Sequence, residues 1–219
     1  MKAVLFDVDG TLLDTNYLHV VAWARGFAAA GVAVPATEIH RRIGMSGERL
    51  MEELCGEARD DVKDRWRQEY DSMRADLRAL PGSQDLLREL ARRGVAVGLA
   101  TSSPAEDIEA IRKVLDLDDV LAFVTSADDV DEAKPSPDIF AAALEQAGVD
   151  ASDAIVVGDT VWDVEAAARC GLACVGVLTG GISRGELLDA GAVAVYDSAA
   201  QLLDELDESP LVSASSPAT

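Results

Sequence analysis

Cysteine is scarce, with Cys55, Cys170 and Cys174 the only three in 219 residues. An odd count without paired spacing excludes a disulfide scaffold and fits a reducing cytosol. Cys170 and Cys174 have no nearby His or third Cys to complete a metal site, so they are read as core packing. Lysine is also short, being limited to Lys2, Lys63, Lys113 and Lys134. Positive charge as a whole is outweighed, with 19 Lys and Arg against 40 Asp and Glu and a net charge of −21. That balance excludes duplex nucleic acid and an anionic membrane as partners, because both need a basic footprint. No stretch approaches the roughly 18 apolar residues of a membrane span. Asp7 and Asp9 interrupt the first apolar run too early for a secretory leader. The expectation is a soluble cytoplasmic protein, a monomer, with a dimer as the alternative.

Apolar residues make up 49% of the chain, enough for a full hydrophobic core. Ala3, Val4, Leu5 and Phe6 form a short continuous apolar run that stops at Asp7. Such a run reads as a strand buried on both faces of a parallel sheet. The pattern recurs at 95–100, 120–125, 154–157, 173–177 and 192–195, with helical stretches such as 104–115 and 137–147 between. Strands alternating with helices mean βαβ units, hence an α/β fold with a Rossmann-like parallel sheet.

Residues 15–80 break this rhythm. They carry helical pattern only, at 17–30, 36–43, 47–54 and 60–77, with Trp23, Phe27, Trp66 and Tyr70 available to pack a small bundle. Pro81-Gly82 then returns the chain to the sheet. The division expected is a core of 1–14 and 81–206, with a small α-helical cap of 15–80 inserted after the first strand. From Asp207 to Thr219 the chain is rich in Ser, Pro and Ala without periodicity, and a disordered tail is expected.

In an open parallel sheet, ligands bind outside the carboxyl ends of the strands. There this chain offers Asp7-Val8-Asp9-Gly10-Thr11, then Thr101-Ser102-Ser103, then Lys134-Pro135, then Gly158-Asp159-Thr160-Val161-Trp162-Asp163. Each segment alone has an ordinary explanation. Asp-x-Asp-Gly is usually a turn, Thr101 a strand-end hydroxyl, Lys134 a surface charge and Asp159 a helix N-cap. Together they bring carboxylates, hydroxyls and an ammonium to one edge of the sheet. Close carboxylates repel one another, and a divalent cation relieves that conflict, with oxygen-only ligands favouring magnesium. Such a site can bind a phosphoryl group and let an aspartate attack phosphorus.

The four segments, in this order and with a helical insertion after the first, resemble the motifs of the haloacid dehalogenase (HAD) superfamily. The cap position is that of the C1 type. Residues 133–140 and Gly171-Leu172 further resemble its phosphoglycolate phosphatase and β-phosphoglucomutase-like branch. The resemblance implies Mg²⁺ as cofactor and Asp7 as nucleophile and metal ligand. It makes Asp9 general acid and base, and a metal ligand through its carbonyl. Thr101, Ser102 and Lys134 would hold the phosphoryl group. Asp159 would ligate the metal, and Asp163 would be a further ligand or an outer acceptor. Asp9 points to phosphate-ester chemistry, and Gly158-Asp159 looks more like the phosphatases than the sugar phosphomutases, which tend to carry Glu-Asp there. The expected partner is therefore a small-molecule phosphate ester, with a mutase as the alternative. A receiver domain of two-component signalling shares the residue types, but it is much shorter and has no helical insertion. In the cap, His19, Arg41, Arg42, Arg49 and the Gly44–Gly47 loop are the polar candidates to face Asp7, with His19 and Arg49 as substrate contacts.

Overall fold

The computed structural model describes residues 1–130 and 134–213. Six strands form one parallel sheet: β1 (Ala3–Phe6), β2 (Ala96–Ala100), β3 (Leu121–Thr125), β4 (Ala154–Gly158), β5 (Ala173–Val177) and β6 (Ala194–Tyr196). Their spatial order is β3-β2-β1-β4-β5-β6, so β1 is central. Successive residues of a strand face opposite sides. Accordingly Val4 and Phe6 enter one core layer with Leu86, Leu99 and Val157, while Ala3 and Leu5 enter the other with Phe140, Val156 and Val164. The strand order reverses between β1 and β4, and the crevice at that switch point lies at their carboxyl ends.

Four helices follow β1: α1 (Asn16–Ala29), α2 (Ala36–His40), α3 (Gly47–Cys55) and α4 (Asp60–Ser72). They share a separate apolar cluster built on Trp23, Phe27, Ile39, Leu50 and Val62. The Trp23 and Trp66 rings stack at 4.9 Å, and Tyr70 continues the stack at 5.8 Å from Trp66. α4 ends at Ser72, short of the expected 77, and a 3-10 turn at Arg74–Asp76 takes over. The two chain segments that join this unit to the sheet run side by side. Asp14 N–H donates to the Arg78 carbonyl at 2.9 Å and Leu80 N–H to the Leu12 carbonyl at 2.8 Å.

Helices α5 (Ser83–Arg92), α6 (Ala105–Leu115), α7 (Asp138–Ala147), α8 (Val161–Arg169), α9 (Arg184–Ala190) and α10 (Ala199–Asp204) surround the sheet. The expected disorder from Asp207 onward does not hold for its first part. A 3-10 turn at Leu206–Glu208 leads into α11 (Pro210–Ser213), and Leu206 and Leu211 are buried in the β1 core layer. Two well-placed leucines outweigh the Ser-Pro character around them. Residues 214–219 lie outside the described residues, as does Ala133 of the 133–140 segment. All three cysteines are free. Among the described residues no helix is long and apolar enough to cross a membrane.

Within the helical unit α1 and α4 pack closely at Gly26. A Cβ on Gly26 would stand 2.9 Å from the Val62 carbonyl oxygen and 3.4 Å from Trp66 N. Gly26→Ala gains up to about 1 kcal/mol of helix propensity, but overpacking costs about 1–3 kcal/mol. The opposing atom is backbone, so net destabilisation is expected, and more for Gly26→Val. Urea unfolding of both variants checks this; a more stable Gly26→Ala would contradict the close packing.

Candidate active site

β1 hands over directly to the site. Asp7 N–H still donates to the Val157 carbonyl at 2.9 Å, which fixes its side chain at the strand's end. The chain then turns tightly, with Leu12 and Leu13 N–H both donating to the Val8 carbonyl at 2.9 Å. Gly10 makes this possible in two ways. Its φ is +80°, and a Cβ there would sit 2.4 Å from Asp159 Oδ2. Beyond β4, Thr160 caps α8 in a reciprocal box: Thr160 Oγ1 and N–H donate to Asp163 Oδ2 at 2.6 and 3.1 Å, and Asp163 N–H donates back to the hydroxyl. The helix start that presents Asp163 is thus fixed by Thr160, and Asp159 is left for other work.

Asp7, Asp159 and Asp163 are buried, and one carboxylate oxygen of each lies within 4.8 Å of the others. Lys134 Nζ, wholly buried, contacts Asp7 Oδ1 and stands 2.8 Å from Asp163 Oδ1. It also donates to the Ala100 carbonyl at 3.3 Å. Asp159 accepts from Thr11 Oγ1 and Asn16 Nδ2, each at 2.9 Å. Burial and then the Asp163 charge push Asp159 up to about 7, against the opposing pull of Asn16, Thr11 and Lys134. Burial raises Asp7 well above the usual carboxylate range; Lys134 opposes this, while Asp163, Asp159 and Asp9 add to it. Burial would lower Lys134, but Asp163 and Asp7 outweigh it, and the ammonium is held charged. One ammonium does not balance three carboxylates. Among the described residues, Asp163 Oδ1 has its ion pair with Lys134 and no partner in hydrogen-bonding geometry. A buried, oxygen-only donor set with surplus negative charge fits a hard divalent cation.

Asp9 lives in a different environment. Its carboxylate accepts from Thr15 Oγ1 at 2.6 Å, Ser103 Oγ at 2.9 Å and His19 Nε2 at 3.2 Å. Burial acts to raise its pKa, yet the His19 charge and the hydrogen bonds from His19, Thr15 and Ser103 bring it to about 2. His19 is itself held by stacking on Tyr70, ring centres 4.3 Å apart.

A cavity of about 320 Å³ opens over Asp7 and Asp9 and is roofed by Gly44, Met45, Ser46 and Gly47. His19 and Ser102 line it. Thr101 and Lys134 are buried at its base and do not line it. Thr101 Oγ1 accepts the Ser103 N–H at 3.1 Å and so shapes the loop that carries both serines. Arg49 is not brought to the cavity. α3 turns Leu50 and Met51 inward, and Arg49 faces solvent beside Glu53 at 3.4 Å. Arg41 and Arg42 likewise pair outside it, with Glu186 and with Glu38 and Glu53. Sequence reasoning missed Ser103, Glu48, Lys63, Trp66, Asp107 and Asp128, all of which line the cavity. For Lys63 a signal existed, since it precedes Trp66 by three on one helix and is one of only four lysines.

A parallel sheet that gathers buried carboxylates and a lysine beneath a helical unit is suited to phosphoryl chemistry. The family is shown directly: residues 1–171 match the haloacid dehalogenase-like hydrolase family, and the chain belongs to it. It is 34% identical over 205 residues to a phosphorylated carbohydrates phosphatase of Thermotoga maritima, covering 89% of this chain and 94% of the relative. It is 32% identical over 221 residues to a phosphoglycolate phosphatase of Rhodospirillum rubrum, covering 94% and 90%. Among solved structures, a hydrolase from Pseudomonas syringae superposes with a TM-score of 0.89 at 36% identity, covering 95% of this chain and 99% of the other.

Because Arg49 is solvated and paired, Arg49→Ala is expected to change kcat/KM for phosphate esters by less than about two-fold, as surface changes usually do. Steady-state kinetics on a small ester and on p-nitrophenyl phosphate check this. A large loss confined to one ester would put the residue back in the site.

Proposed function

We propose that this protein is a Mg²⁺-dependent phosphatase that hydrolyses a small phosphorylated metabolite through an aspartyl-phosphate on Asp7. The observation that carries the reading is the separation of two aspartates at one cavity. Asp7 opens into it with Lys134 against its carboxylate, and Asp9 opens into it from a network of its own. The names of the phosphatase relatives support the same reaction class.

Asp7, Asp159 and Asp163, with the Asp9 carbonyl, would hold Mg²⁺, which supplies charge neutralisation at the attacking carboxylate and the phosphoryl oxygens. The protein's own groups do the rest. The Asp7 carboxylate attacks phosphorus as the ester P–O bond breaks, and Lys134, Thr101 and Ser102 steady the transferring phosphoryl group. Asp9 gives a proton to the departing alkoxide. It then takes one from the water that attacks the acyl phosphate, releasing phosphate and restoring Asp7. Without ligand, Asp9 is ionised; a phosphoryl anion beside it works to raise its proton affinity, as delivery to the leaving oxygen requires. The helical unit excludes water from the acyl phosphate. Residues 15–80 are proposed as a cap to a core of 1–14 and 81–206, in a cytoplasmic monomer. The mutase alternative goes with Glu at position 158, where a Cβ would come 2.5 Å from Asp163 Cβ. That crowding favours the phosphatase.

Chelation is expected to abolish turnover, Mg²⁺ to restore it, and Ca²⁺ to fail, because calcium prefers more ligands in looser geometry. Full activity after exhaustive EDTA treatment would remove the metal from the reading.

The two aspartates separate in a second experiment. Asp7→Asn should be inert while still folded. Asp9→Asn should be slowed by about 10²–10⁴ on ordinary esters. With p-nitrophenyl phosphate, whose leaving group needs little protonation, it should still load Asp7 and stall, seen as a phosphoryl mass gain on the Asp7 peptide. Wild-type rates from Asp9→Asn on both ester types would reject its role. Transfer of the phosphoryl group to a sugar hydroxyl faster than to water would favour the mutase.

A further inference from the structure

Within the phosphatase reading, the outer part of the cavity must receive the alcohol half of the ester. Its apolar wall is built from Trp23, Ile43, Met45, Leu50 and Trp66. Its charged groups are Glu48, Lys63, Asp107 and Asp128. Lys63 is the only Lys or Arg among the lining residues, and it is already engaged: its Nζ lies 2.5 Å from Glu48 Oε1. Both side chains are about half exposed, at 51% and 52%, which places the pair at the rim.

The other two carboxylates are anchored from behind. Asp107 is forked by Arg67, at 2.6 and 2.9 Å, and also met by Arg74; neither arginine lines the cavity. Asp128 Oδ2 accepts the Ala105 N–H at 2.8 Å, at the start of α6. The Trp66 indole N–H is buried without an acceptor among the described residues.

A second anion on the substrate would therefore meet no unengaged cation. It would lie near three carboxylates and against apolar rings, where an unpaired charge is costly. An uncharged, hydroxylated group meets the opposite conditions. Carboxylates accept from its hydroxyls, and the aromatic faces cover its carbon skeleton.

We propose that this cavity selects phosphate monoesters whose alcohol part is uncharged and hydroxylated, that it rejects a second anionic group, and that the Glu48–Lys63 pair sets this selectivity. The proposal rests on the phosphatase reading. It also parts this chain from relatives named for phosphoglycolate, whose substrate carries a carboxylate.

Two matched substrate pairs test it: 2-hydroxyethyl phosphate against 2-phosphoglycolate, and fructose 6-phosphate against fructose 1,6-bisphosphate. Each pair differs mainly in one distal anionic group. Wild-type kcat/KM is expected to favour the uncharged member of each pair by about ten-fold or more, a size typical of pocket discrimination. Glu48→Gln releases Lys63 and should shrink both ratios by about five-fold, whereas Lys63→Ala leaves Glu48 unopposed and should widen them. Both residues are half exposed, so neither change threatens folding. Wild-type ratios near one, or in favour of the members that carry a second anionic group, would overturn the proposal. So would variants that leave the ratios unmoved or shift them in the same direction. No hydrolysis of any ester, p-nitrophenyl phosphate included, would instead overturn the phosphatase reading, and the selectivity inference with it.

Discussion

The arrangement around Lys134 is the constraint on which the rest depends. An ammonium with no solvent exposure stays charged when carboxylates face it, and here Asp7 and Asp163 supply them from two different strand ends. Removing the lysine would leave the buried carboxylates without their counter-charge, which is far worse than never having buried the cluster. The three segments must therefore meet, and the backbone around them is shaped to allow it. Gly10 gives Asp159 room, Thr160 fixes the turn that presents Asp163, and the β1 ladder extends one residue to place Asp7. The central strand is buried on both faces, so none of these positions can relax by drifting.

The helical unit is tied to the same residues by a different class of interaction. Asn16 reaches from the start of α1 to Asp159, and His19, one turn on, reaches Asp9. His40 donates to the Gly180 carbonyl at 2.7 Å, and Arg67 and Arg74 hold Asp107 on α6. These contacts are polar and several are partly exposed, so water can replace them at modest cost. The apolar cluster of the unit is by contrast its own. A helical unit with a private core and a polar seam to the sheet is built as the proposed cap role requires.

The sheet and the buried half of the site were legible because both follow from local pattern. Short apolar runs ending in Asp or Thr mark strand ends, and strand ends in a parallel sheet face one edge. All six strands lie where those runs lie, with β6 starting two residues later than its run, after the Gly191 cap that ends α9. The cavity wall was not legible in the same way. Which face of a short helix turns inward depends on its partners, and for α3 Leu50 and Met51 settle it, sending Arg49 out. Lys63 and Trp66 come from α4, and Asp107 and Asp128 from beyond β2 and β3, so no single window contains the wall. Ser103 rather than Ser102 reaches Asp9 because the loop is bent by the Thr101 hydroxyl, a hydrogen bond without sequence signature. The ordered 207–213 segment has the same origin, in two leucines whose value depends on a groove formed far away in sequence.

Electrostatics then connects the two halves of the cavity. With all three carboxylates ionised and one lysine charged, the buried cluster would carry two surplus negative charges. The chain around it is strongly acidic as well. A phosphoryl dianion has no reason to enter such a site until that surplus is offset, which ties substrate affinity to the occupancy of the carboxylate cluster. The outer wall adds no free positive charge of its own, because Lys63 is matched by Glu48 and the arginines lie outside or behind. Attraction for anions is thus confined to the base of the cavity, where the phosphoryl group belongs, and the wall is left to judge shape and hydroxyl pattern. Recognition by charge and recognition by form are separated in space, and that separation follows from the burial of a single lysine.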